Sequence, residues 1–146
     1  RPPGRARGVL PASEVALLTM VNRTLRGSGL RLDVFRSVGD WRKDRAVFAA
    51  AAAVFGPHGG AEANLVFCRP GTTVIEFNPM AKLRAVGEDN VRPCYLGLAA
   101  MCNLDFWVVE PSAGFAFSGR GPGMEVNATE VVEILRRTVL ASERQG

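Results

Sequence analysis

A chain of 146 residues, 47% apolar and 22% charged, can bury about one core, which excludes a disordered tail. Its net charge of +4 is carried by 16 Arg and two Lys scattered without a basic block. That admits an anionic small-molecule partner and argues against a nucleic-acid-binding patch. The apolar run from Val47 to Phe55 has nine residues, against the roughly 20 that a membrane span takes.

Pro11 to Arg26 reads as the first helix, with Val15, Leu17, Leu18, Val21 and Leu25 at helical spacing and Gly27-Ser28-Gly29 to end it. Leu30 to Phe35 is expected as a short strand. Asp40 is placed to cap a helix over Trp41 to Ala50. Ala53-Val54-Phe55 is a buried strand, Gly59 to Phe67 a short helix, Pro70-Gly71 a turn and Thr72 to Phe77 the clearest strand. Residues 78 to 91 are loop. Arg92 to Asn103 is a helix with Tyr95, Leu96, Leu98, Ala99 and Met101 as its apolar side. Leu104 to Val109 is a strand and residues 110 to 125 a Gly/Pro-rich loop, whose Phe115, Phe117 and Arg120 are candidates to line a cleft. Asn127 or Thr129 opens a last helix with Val131, Val132, Ile134, Leu135 and Val139 inward. Strands alternating with helices predict a parallel sheet covered on both faces.

Cys68, Cys94 and Cys102 follow no metal-ligand spacing and read as buried thiols, with one disulfide as the alternative. Trp41 and Trp107 read as packing residues. The triplets at Asn22 and Asn127 fit N-glycosylation acceptors. Because the chain opens Arg1-Pro2-Pro3-Gly4, it is expected to be a piece of a longer protein, with any signal or anchor upstream.

Ligands of open parallel sheets bind where strand carboxyl ends lead into helices, and "GPHGGAEAN", with the chain's one histidine, sits at such a place. Gly59 and Gly60 let a ligand approach the backbone. The helix that follows offers free N–H groups and a positive dipole end to a phosphate. His58 can bond a sugar hydroxyl, a phosphate or a carbonyl. The stretch matches neither the Walker pattern nor the dinucleotide fingerprint.

"FGPHGGAEANLVFCRPGTTVIEF", residues 55 to 77, resembles the signature of glycosyltransferase family 61: a strand, a His-Gly-Ala/Gly turn, then Phe, Pro-Gly and a strand ending in Glu. "RGVLPASEV", "DWRKDRAVFAAAAAVFGPHGG" and "CYLGLAAMCNLDFWVV" resemble neighbouring segments of that family. The chain departs from the pattern in Gly60 for Ala, in Ala61-Glu62-Ala63 for Gly-Leu-Thr, and in Pro11 for Asn; Glu62 adds a negative charge close to the proposed phosphate site, so it is expected to face away.

The resemblance implies a Rossmann-like, three-layer α/β/α domain with a mostly parallel sheet, the C-terminal half of a GT-B glycosyltransferase. It implies inverting transfer from a UDP-sugar to a protein or glycan hydroxyl, no obligatory metal, and a Golgi or endoplasmic reticulum setting, with membrane attachment only through an upstream anchor. Arg7, His58, Gly59, Gly60, Asn64 and Glu76 are then the candidate donor-binding residues, and no metal ligands are expected. Arg7 is suited to the diphosphate. Asn64 serves either ligand or loop, and Glu76 either a ribose or a structural hydrogen bond. The catalytic base is expected in the other half of the enzyme. The alternative is a non-catalytic binding or scaffold domain that keeps the fold.

Overall fold

Asp40 accepts a hydrogen bond from the Arg42 N–H at 3.0 Å, so the second helix starts at the residue its cap predicts. Asp40→Ala is expected to cost about 1 kcal/mol in urea denaturation; a loss below about 0.3 kcal/mol would show that solvent caps this end equally well. The structure, a computed structural model, describes residues 8–37, 39–79, 94–112 and 123–142. The elements are α1 (Pro11–Thr24), α2 (Trp41–Ala50), β1 (Ala53–Pro57), a 3₁₀ helix (Gly60–Phe67), β2 (Thr73–Phe77), α3 (Cys94–Met101), β3 (Asp105–Val109) and α4 (Ala128–Ser142).

The three strands form one parallel sheet in the order β1-β2-β3, with Val54 opposite Val74 and Val74 opposite Phe106. Alternation divides its side chains between two cores. Ile75, Phe77 and Val109 meet Leu17 and Val21 of α1 and Val131, Val132 and Leu135 of α4 on one face. Val74 meets Phe48 of α2, Leu65 of the 3₁₀ helix and Cys68 just after it on the other, with Tyr95 and Leu98 of α3 packed alongside. Every residue of β2 is buried, because helices cover the central strand on both sides. This is the three-layer α/β arrangement expected from alternating elements, and it is compatible with a Rossmann-like fold.

Local chemistry explains most of the boundaries. The Thr72 N–H bonds to the Arg69 carbonyl at 3.0 Å across Pro70-Gly71, and Gly71 takes φ 82°, as a type II turn requires. At the end of α3, Asn103 adopts φ 53° while the Leu104 N–H reaches back to the Ala99 carbonyl at 2.9 Å, a Schellman closure. The Asn127 side chain accepts from the N–H groups of Thr129 and Glu130, so Asn127 opens α4. Gly123 has φ 104°, and a Cβ there would lie 3.0 Å from the Gly8 carbonyl, because Met124 bridges Val9.

Three expectations are corrected. Leu30 to Phe35 forms no strand: Leu30 and Leu32 pack on the α1/α4 core while Phe35 stacks edge-on to Phe48, with 4.9 Å between ring centroids. The segment carries the chain between the two cores, and strand-like residues without a ladder partner stay unpaired. The expected short helix is present over Gly60–Phe67 and is 3₁₀ in form. Its buried residues Glu62 and Leu65, with Cys68 at its C-cap, recur every three positions, the period at which 3₁₀ side chains eclipse. On α3, Leu96 and Met101 are exposed, whereas Tyr95, Leu98 and Ala99 face inward. Trp41 is also exposed, its ring lying under the Arg42 guanidinium.

Cys68 and Cys102 are free thiols. Burial, helped by nearby Cys102, pushes the Cys68 thiol up to about 11, which keeps it protonated and inert at neutral pH. Among the described residues, no helix is long and apolar enough to cross a membrane. Arg7 and the loop carrying Phe115, Phe117 and Arg120 lie outside the described residues, as do residues 80 to 91 of the first expected loop.

Candidate functional site

The carboxyl end of β1 delivers His58 directly into a turn. Its N–H continues the ladder by donating to the Phe77 carbonyl at 3.2 Å, so the turn is anchored to β2. Glu76 lies on β2 opposite Gly56 and on the same sheet face as Val74, the face covered by the 3₁₀ helix and α3. Gly56 leaves open space there, with no atom within 4 Å of where its Cβ would stand.

Three acid–base side chains meet at this edge. The His58 Nδ1 makes a short hydrogen bond to the Glu76 carboxylate. Glu62, from the first turn of the 3₁₀ helix, accepts the Gly59 N–H at 3.0 Å and places the same oxygen 3.8 Å from His58 Nδ1. The second distance is too long for a hydrogen bond. The Tyr95 ring of α3 approaches the imidazole edge-on, with 5.1 Å between centroids. Both carboxyls are buried, and the imidazole is 19% exposed.

The electrostatics separate the two carboxyls. Burial, then the charge of Glu76, pushes the Glu62 carboxyl up to about 9; a hydrogen bond with Glu76 adds to this, and the Gly59 N–H opposes it. Glu62 is therefore a neutral acid at pH 7 and a hydrogen-bond donor to Glu76. The negative charge that its position threatened to bring to a phosphate site is absent at that pH, although the side chain points into the site. The hydrogen bond between Glu76 and Nδ1 fixes the orientation of the ring and leaves Nε2 as its remaining nitrogen. Among the described residues Nε2 has no hydrogen-bond partner. An imidazole oriented by a buried carboxylate can bind a hydroxyl or a phosphate, accept a proton, or ligate a metal.

Of the residues expected in the site, His58, Gly59 and Glu76 stand together, and Gly60 opens the 3₁₀ helix at the surface. The Asn64 amide is used inside its own turn, donating to the Ala61 carbonyl at 3.0 Å. The sequence sets Glu62 close to the proposed phosphate site but not in contact with His58, and it does not place Tyr95 there at all. The spacing of Glu62, Leu65 and Cys68 was the available signal for Glu62; for Tyr95 helical spacing predicted burial without naming the neighbour. An open depression of about 320 Å³ lies at the opposite, amino-terminal edge of the sheet, lined by Ala51, Arg69, Thr72 and Thr138 among others. It holds none of these residues, and parallel sheets bind ligands at their other edge.

No family model matches the chain, and neither a curated protein nor a solved structure matches it.

Proposed function

We propose that this chain is the donor-binding domain of an inverting glycosyltransferase resembling family 61, holding a UDP-sugar at the carboxyl edge of its parallel sheet. The observation that carries the reading is His58, held by Glu76 at the end of a parallel strand with Nε2 unengaged among the described residues. In such a reaction an acceptor hydroxyl attacks the anomeric carbon and the nucleoside diphosphate departs. This domain would supply hydrogen-bond donors and acceptors to the departing half, and the base would come from elsewhere in the enzyme. A Golgi or endoplasmic reticulum setting and a protein or glycan acceptor belong to the same proposal.

Gly59 permits a test that separates binding from folding. Its backbone is extended (φ 170°), and a Cβ would meet only the Pro57 carbonyl at an ordinary 3.7 Å. Gly59→Ala is therefore expected to leave stability within about 0.5 kcal/mol of wild type. Isothermal titration with UDP should show saturable binding to the wild type, weakened about tenfold or more in Gly59→Ala and His58→Ala, a loss of about 1.4 kcal/mol. No saturable heat with the wild type would overturn the reading.

A non-catalytic domain that keeps the fold is the second reading. Its support is that the Gly59 N–H, a seat for an incoming anion, is already taken by the Glu62 carboxyl.

A further inference from the structure

We propose that His58, Glu62 and Glu76 form a binding site for a divalent transition-metal ion of the zinc class, ligated through the imidazole and one oxygen of each carboxyl. The donors come from three separate elements: the turn after β1, the 3₁₀ helix and β2. Their ligating atoms lie within 4.8 Å of one another, so small side-chain adjustments bring all three to a single ion with bonds of about 2.0–2.2 Å. The two carboxyl side chains are 8% and 3% exposed. Among the described residues no Lys or Arg pairs with either, and the His58 imidazole is the one basic side chain beside them. Two carboxyls buried side by side are costly unless hydrogen-bonded, paired or metal-bound. The partly exposed imidazole leaves a route from solvent.

The donor set selects the ion. One nitrogen and two oxygens suit zinc, cobalt or manganese, whereas magnesium and calcium favour all-oxygen cages. Three protein ligands leave a coordination position open to water or a phosphate oxygen. The site depends on Glu62, which stands where the family pattern has Leu, and the resemblance carries no obligatory metal. The inference thus stands apart from the donor-binding reading: a silent scaffold domain holds the ion equally well.

The test is thermal unfolding of the chelator-stripped, desalted full chain, titrated with zinc sulfate and, in parallel, magnesium sulfate. Zinc should raise Tm saturably by about 5 °C or more at a hundredfold excess over its Kd. Magnesium should raise it by less than about 1 °C. Glu62→Gln and Glu76→Gln should each weaken zinc binding at least tenfold, and His58→Ala should abolish it. Cobalt substitution should give absorption of nitrogen and oxygen ligation without a thiolate charge-transfer band. No saturable shift in the wild type overturns the proposal. So does an equal shift in Glu62→Gln, which would assign the zinc to thiols or surface groups. Nucleotide is absent throughout, so failure here leaves the UDP titration untouched.

Discussion

Glu62→Gln is expected to be more stable than the wild type at pH 9, with the difference shrinking to near zero at pH 5. Unfolded, Glu62 titrates near its ordinary 4.5; folded, its carboxyl is pushed up to about 9 by burial and by Glu76. Between those values the folded chain keeps a proton that the unfolded chain has released. The stability it carries is complete below pH 4.5 and falls as pH rises, at up to about 1.4 kcal/mol per pH unit. By pH 9 the loss should be on the order of 6 kcal/mol, comparable with the 5–15 kcal/mol that holds a typical domain together. Glutamine removes the titration and keeps both hydrogen bonds: its NH₂ can donate to Glu76, and its carbonyl can accept from the Gly59 N–H. Urea denaturation of both proteins at pH 5, 7 and 9, with a chelator to keep metal ions out of the cluster, measures the difference. Groups common to both proteins cancel. Parallel pH curves would mean that Glu62 is not held as a neutral acid.

Phe77→Ala is expected to destabilise the domain by about 3–5 kcal/mol. The side chain is 1% exposed at the centre of the α1/α4 core, tilted against Phe55 with 6.4 Å between ring centroids. Its loss removes both the transfer energy of the ring and the contacts of its neighbours, which cannot close over so large a void. The effect should reach the site, because the Phe77 carbonyl anchors the His58 N–H and Glu76 precedes it on β2. Phe77→Leu keeps most of the volume and should cost less than about 1.5 kcal/mol. A loss below 1 kcal/mol for Phe77→Ala would contradict the packing described for this face.

The same pair of residues shows how unevenly fold and site could be read in advance. Phe77 ends a β-branched run, so its strand and burial follow from residue types within a few positions. Asp40, Pro70-Gly71 and Asn127 announced their cap, turn and helix start in the same way, since each acts on backbone groups two or three residues off. Leu30 to Phe35 misled because strand propensity expresses itself only where a partner strand offers a ladder. The short helix at residues 60 to 67 was legible as a helix but not as 3₁₀, because periods of 3.0 and 3.6 diverge by only about two residues over three turns.

Local spacing and turn chemistry by themselves determined the alternating α/β architecture, most element boundaries, and the position of His58 at a strand end. Only the tertiary structure decided what His58 touches. Parallel register sets Gly56 opposite Glu76, and so brings a carboxylate from 18 residues away onto the imidazole. The buried stripe of the 3₁₀ helix turns Glu62 inward to join them, and burial beside Glu76 holds it neutral. The physical reason is range: caps and turns act within one turn of chain, whereas register, convergence and desolvation exist only after distant segments have packed.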